Sequence, residues 1–271
     1  MSDIPSLPLA SRKTVEDFVH RSEFWLQVPG NERKRFWETD NPDNRPYLFP
    51  APQLVEFTKA NCLATTADDK NEILNKFKTK LQTDWEKSRT APLEGIQFAH
   101  LLGEYVGWID RVFFFGVLTR PRWRGGDLDK LERQIIGIQM HEGLRGSKGE
   151  VLEGQFSDAH GTLFVNLQQN SGKAQAFEKA ICVVAHELVH AYLHILTRDN
   201  SGSNYLRQMY QDYGHGIQFH ALLRFILDQL FKWLPIPYIG EMAKTTGKDL
   251  DVAFSKRLVS ESVSRSVIYK E

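Results

Sequence analysis

The stretch that decides the fold is residues 174–196, which read AQAFEKAICVVAHELVHAYLHIL. Apolar residues recur in it at three- and four-residue intervals, a spacing that predicts one long amphipathic helix. The apolar stripe consists of Ile181, Val184, Leu188, Ala191 and Ile195. Turn-forming residues lie on both sides, at 170–172 and 199–203, and they predict where the helix begins and ends.

This helix carries the pattern H-E-x-x-H at His186, Glu187 and His190. Residues four apart lie on one face of a helix, so both imidazoles can reach one ion. Glu187 is rotated ~100° from His186 and ~60° from His190, so it stands beside the ion and can act as a general base. The competing interpretation is an ordinary amphipathic helix in which two histidines occur by coincidence.

A catalytic zinc ion takes three protein ligands and leaves the fourth position to water. His215 is the favoured third ligand, because it opens the next predicted helix and a chain reversal can bring it over the ion. His194 lies one turn further along the helix and points past the ion, and Glu241 has no supporting surroundings. Cys182 is interpreted as a small core residue rather than a fourth ligand.

The order of predicted elements indicates an α+β fold, in which a small mixed sheet packs on the long H-E-x-x-H helix. We predict an N-terminal, mainly helical extension (residues 1–92), a central domain (93–240) and a polar, weakly patterned tail (241–271). The predicted helices are 14–26, 50–61, 71–85, 96–115, 174–196, 205–213 and 216–234. The predicted strands are 133–140 and 160–168.

Composition limits the classes of function. Lys+Arg and Asp+Glu are 34 each, so the net charge of zero gives no support for DNA as a partner. The two cysteines, Cys62 and Cys182, cannot form a disulfide framework or a four-cysteine zinc site, which favours a reducing environment. No secretory signal and no apolar run of ~20 residues is recognisable, so we expect a soluble intracellular protein of the nucleus or cytoplasm.

Two histidine motifs together resemble the SprT-like metalloprotease domain, which pairs H-E-x-x-H-A with a downstream H-G-x-x-F. Here these are residues 186–191 (HELVHA) and 215–219 (HGIQF). Residues 113–118 and 164–167 also look like family stretches, and the similarity covers about 95–235. The resemblance implies a zincin-like fold, Zn2+ as cofactor, His186, His190 and His215 as its ligands, and Glu187 as the catalytic base.

The family includes Spartan-type proteases, which degrade proteins crosslinked to DNA and carry a cysteine zinc ribbon or DNA-binding extensions. This chain cannot make the ribbon, and its segment 192–214 is longer than is usual in the family. The implied function is zinc-dependent hydrolysis of peptide bonds in protein substrates, with DNA-associated proteins as one substrate class. We expect the substrate to lie along the edge of the strand at 162–167. Tyr213, a candidate to assist the zinc, is interpreted as a packing aromatic.

Two other functions stay open on the sequence. The stretches 120–126 (RPRWRGG) and 33–37 (RKRFW) interleave basic and aromatic residues, a pattern that suits phosphates and stacked bases. They predict a nucleic-acid or protein binding module with a structural zinc site, although a solvated turn and a helix face are the favoured interpretation. A degenerate protease acting as a scaffold is the third reading, and the intact Glu187 argues against it.

Overall fold

The structure is a computed structural model of the 271-residue chain. It describes residues 51–63, 68–91, 93–119, 121–123, 131–134, 136–157, 162–169, 171–197 and 215–268. The predicted helices at 14–26 and 205–213, the basic stretch 33–37 and Tyr213 lie outside these ranges. The chain divides into two compact units, residues 1–198 and 199–271.

The fold is α+β, as the order of predicted elements indicated. The described helices of the first unit are α1 (Ala51–Asn61), α2 (Asp68–Thr90), α3 (Gly95–Phe113) and α4 (Phe177–Leu196). Its strands are β1 (Pro121–Trp123), β2 (Leu131–Gln134), β3 (Gly137–His141), β4 (Gly154–Ser157) and β5 (Thr162–Asn166). The second unit contains α5 (Ile217–Trp233) and α6 (Pro237–Ile268).

Three strands form a mixed sheet in the order β3-β5-β4. The central strand β5 runs parallel to β3 and antiparallel to β4, and Leu163 lies opposite both Ile138 and Phe156. The predicted substrate edge at 162–167 is therefore wrong, because both sides of β5 are paired with neighbouring strands. The alternation of apolar residues identified β5 as a strand, but it does not reveal which strand of a sheet is central. Strands β1 and β2 form a separate antiparallel pair.

Helix α4 is the core element of the first unit, packed between the sheet on one side and α3 on the other. Its apolar stripe is fully buried as far as Ala191, and Ile195 at its end is 6 % exposed. Aromatic rings join it to α3 and the turn that follows: Phe177 lies 5.4 Å from Tyr105, and Tyr192 lies 4.6 Å from Phe114, between ring centroids. Helix α4 is also long and apolar enough to cross a membrane, but 72 % of that window is buried inside the protein, as in the core helix of a soluble domain.

The turn after α3 is closed by the buried carboxylate of Asp110. The backbone N–H groups of Leu118 and Thr119 and the hydroxyl of Thr119 donate hydrogen bonds to it, at 2.8–3.2 Å. Phe115 and Gly116 take positive φ angles of 60° and 70° to make this turn. Such a conformation is easy for glycine and strained for phenylalanine, so the Asp110 bonds stabilise a turn that the backbone alone disfavours.

The start of helix α4 differs from the prediction for a physical reason. Helix α4 begins at Phe177 rather than near Ala174, because Ala174 still pairs with Gln168 and the backbone N–H of Gln175 donates to the Leu167 carbonyl. The chain therefore stays extended for three residues longer than the apolar spacing suggests.

The expectation of a loose tail is wrong for residues 241–268, which continue helix α6 and pack on α5. Two glycines of α6 lie close to side chains of α5, and glycines add nothing to apolar periodicity in the sequence. A Cβ added at Gly240 would lie 2.9 Å from the Phe231 ring, and one at Gly247 would lie 3.1 Å from the Arg224 guanidinium. Helix α6 therefore packs on α5 without the large apolar stripe by which a helix is usually recognised in a sequence.

Candidate metal centre

His186 and His190 lie one turn apart on α4, with half-buried side chains. Their Nε2 atoms are 3.2 Å apart and their ring centroids 4.9 Å apart. Two nitrogens bound to one tetrahedral zinc at about 2.05 Å lie about 3.3 Å from each other. The pair therefore already has the separation that two ligands of one ion require, as the four-residue spacing predicted.

His215 lies directly before α5, where Gly216 is the N-cap residue. Its ring is half-buried and lies 4.7 Å from the ring of Phe219. His186, His190 and His215 form a group that could hold a metal ion, since each offers a ring nitrogen and these atoms lie within 4.8 Å of one another. Three imidazoles suit zinc, copper, iron and nickel alike, so the donor set accepts the predicted cofactor without identifying it.

Glu187 lies next to this group without belonging to it. Its side chain is buried, with 5 % exposure. Burial raises the pKa of Glu187 to about 8, and a hydrogen bond donated by the backbone N–H of Phe156 opposes that rise. Glu187 directly follows His186 in the chain, and a raised pKa of this kind is common at functional sites.

Strand β4 contacts the Glu187 side chain, and this strand was not predicted from the sequence. Its four residues, GQFS, lack the apolar alternation that marked β5. The available signal was Gly154, because a glycine within a strand often marks the close approach of another chain segment. In the structure, Gly154 lies against the Glu187 side chain, and the backbone N–H of Phe156 donates a hydrogen bond to the Glu187 carboxylate.

The three residues that were not favoured as ligands lie outside the histidine group in the structure. Glu241 is on the exposed surface of α6, where its Oε1 accepts a hydrogen bond of 2.7 Å from the Lys244 ammonium. Cys182 is 3 % exposed, and burial raises the pKa of its thiol to about 12, as in an inert core cysteine. His194 is half-buried and its ring lies 6.0 Å from that of Phe156, outside the metal group.

A buried hydrogen bond connects α4, which carries His186 and His190, to α1, within the predicted N-terminal extension. The hydroxyls of Tyr192 and Thr58 are 2.9 Å apart. Thr58 donates its own proton to the Leu54 carbonyl at 2.7 Å, so Tyr192 is the donor between the two hydroxyls. Helix α1 thus takes part in the packing that holds α4 two residues beyond His190. The residue types alone gave no signal for this pairing across 134 positions.

Comparisons of the chain with models of known protein families, with curated proteins and with solved structures find no match. The features that indicate a function are the histidine group and the buried carboxyl group of Glu187 beside it.

Proposed function

We propose that this protein is a zinc-dependent metalloendopeptidase that resembles SprT-like proteases and hydrolyses peptide bonds of protein substrates. The observation that carries the proposal is the 3.2 Å separation of the His186 and His190 Nε2 atoms, with the buried Glu187 between them in sequence. A structural zinc site needs ligands only, whereas a hydrolytic site also needs a base within reach of the attacking water.

His186, His190 and His215 would hold the zinc ion. When bound, zinc supplies a Lewis acid that lowers the pKa of a water molecule and polarises the scissile carbonyl. Glu187 accepts the proton of the attacking water and returns it to the nitrogen of the leaving amine, so the carboxyl group ends the cycle as it began.

The border of β4 is the better candidate for substrate docking than the strand predicted from sequence. The Glu153 carbonyl accepts a hydrogen bond from the Asn166 N–H on β5. Backbone groups alternate in direction along a strand, so those of Gly154 and Phe156 point away from β5. Phe156 directs its N–H toward Glu187. An extended peptide that added to this border would therefore pass beside the base.

The resemblance to Spartan-type proteases is what suggests DNA-associated proteins as substrates. A net charge of zero gives that class no electrostatic support. An unfolded polypeptide is the appropriate first substrate, because an exposed strand border recognises backbone more than side chains. Cys62 and Cys182 are both buried and are not joined in a disulfide, which fits the reducing intracellular setting that we propose, in the nucleus or cytoplasm.

The decisive comparison is Glu187→Gln against the wild type, both loaded with zinc and incubated with unfolded casein. We expect bound zinc to be equal and hydrolysis to fall about 10²–10⁴-fold, the range assigned to general acid–base catalysis. Chelation by 1,10-phenanthroline should abolish hydrolysis, and added zinc should restore it. Equal hydrolysis by both proteins would contradict the role of Glu187. No hydrolysis by either protein would favour the alternative, a nucleic-acid or protein binding module with a structural zinc site.

A further inference from the structure

Strand β4 approaches α4 so closely at one position that no side chain fits between them. A Cβ added at Gly154 would lie 2.9 Å from both Cγ and Oε1 of Glu187, and 2.7 Å from Cγ1 of Val183. Real Cβ contacts essentially never fall below 3.0 Å. The glycine is needed for space rather than for backbone freedom, since Gly154 is not among the residues with positive φ.

The same strand holds the far end of this side chain. The backbone N–H of Phe156 donates a hydrogen bond to the Glu187 carboxylate. Gly154 and Phe156 are two residues apart and therefore face the same side of β4. The backbone of Gly154 packs against the Glu187 side chain, and the backbone N–H of Phe156 binds the carboxylate of the same residue. A bond from a backbone donor fixes a carboxylate more firmly than one from a mobile side chain, because the strand itself is held by β5.

We propose that β4 positions the general base: Gly154 leaves the space that the Glu187 side chain occupies, and the Phe156 N–H fixes its carboxylate. The inference rests on the proposed role of Glu187. Gly154 is a positioning residue, because it acts on the reaction only through Glu187. A methyl group at this position would meet both Glu187 and Val183, and we expect the Glu187 carboxylate to shift while His186 and His190 keep their places on α4.

The first test compares Gly154→Ala with Gly137→Ala. The second variant also adds a methyl group to the three-stranded sheet, but the nearest atoms to its new Cβ belong to Thr162, with Oγ1 at 3.3 Å. We expect both variants to bind as much zinc as the wild type. Hydrolysis of unfolded casein should show a kcat about 100-fold lower for Gly154→Ala, with KM nearly unchanged, and no such loss for Gly137→Ala. Equal activity of the two variants would overturn the proposal.

Val183 offers a second explanation of any loss, because it also stands against the new methyl group. Gly154→Ala combined with Val183→Ala distinguishes the two. Removing the Val183 methyls relieves that contact and leaves the one with Glu187. The loss of kcat should therefore persist in the double variant. Recovery of activity would show that the strand had merely been pushed off the helix, and it would contradict a positioning role for Gly154.

A thermal measurement tests the contact between Gly154 and Glu187 without measuring activity. It therefore tests the proposal even if the protein is not a peptidase. In Val183→Ala protein, Gly154→Ala is combined with Glu187→Gln, which keeps the side-chain stem, or with Glu187→Ala, which removes it. We expect Gly154→Ala to lower Tm by about 2–4 °C in the Glu187→Gln background and by clearly less in the Glu187→Ala background. Equal shifts in both backgrounds would overturn the proposal. An inactive wild type with unequal shifts would refute the peptidase function alone.

Discussion

The hydroxyl of Tyr192 donates a hydrogen bond of 2.9 Å to the hydroxyl of Thr58, which in turn donates to the Leu54 carbonyl at 2.7 Å. Both side chains are fully buried. The bond joins α1 to α4 immediately after the second histidine of the H-E-x-x-H pattern. Residues of α1 therefore help to hold in place the helix that carries His186 and His190.

The direction of this bond makes its two partners unequal in substitution. Tyr192→Phe removes the donor and leaves Thr58 bonded to Leu54, so it should lower the free energy of unfolding by only about 0.5–1.5 kcal/mol. Thr58→Val deprives the buried Tyr192 hydroxyl of its acceptor and should cost about 1–3 kcal/mol. Urea unfolding measures both values. Thr246→Val is the matched control, because Thr246 is buried and makes the same bond to a carbonyl four residues back. A larger loss in Tyr192→Phe than in Thr58→Val would contradict the assigned direction.

Asp110 should make stability depend on pH. Burial raises its pKa from 3.8 to about 7, although the bonds from Thr119 and Leu118 oppose the rise. The folded state then binds the proton more tightly than the unfolded state. The stabilisation is complete below about pH 4 and is lost as pH rises toward about 7.

Asp110→Asn keeps an acceptor for the turn and removes this titration. The free energy of unfolding of the wild type, measured by urea between pH 4 and 7, should fall relative to the variant by on the order of 1 kcal/mol per pH unit. The remaining ionisable groups are common to both proteins, so the difference isolates Asp110. A difference that stays constant over this range, or rises with pH, would contradict the buried protonated carboxyl group.

Two glycines should respond to alanine with opposite signs. Gly103 lies inside α3 with nothing within 4 Å of an added Cβ, so Gly103→Ala should stabilise the protein by about 0.5–1 kcal/mol. Gly116 has a φ of 70°, which alanine adopts only with strain, so Gly116→Ala should cost about 1–2 kcal/mol. Thermal unfolding of the pair provides the test. Equal effects of the two substitutions would show that the turn after Phe113 is not held at positive φ.

The sequence predicted those features that local geometry determines. The spacing of His186 and His190 places them on one helix face whatever surrounds the helix, and the structure confirms it. Strand β5 could also be predicted from the sequence, because its apolar residues alternate. These patterns depend only on the periods of helices and strands.

Features that depend on distant contacts were missed or misplaced. The position of β5 at the centre of the sheet depends on β4, whose sequence GQFS has no strand pattern of its own. Helix α6 was missed because Gly240 and Gly247 make its contacts with α5. The bond between Thr58 and Tyr192 joins hydroxyls that carry no pairing signal. In each case small or polar residues make the contact, and apolar periodicity cannot reveal them.

The central claim is that His186, His190 and His215 hold one zinc ion. The most direct measurement is the metal content of the purified wild type, of His215→Ala and of His194→Ala, a control on the same helix outside the histidine group. We expect close to one zinc per chain in the wild type and in His194→Ala, and a sharp drop in His215→Ala. A wild type without zinc, or a His215→Ala variant that keeps it, would contradict the claim.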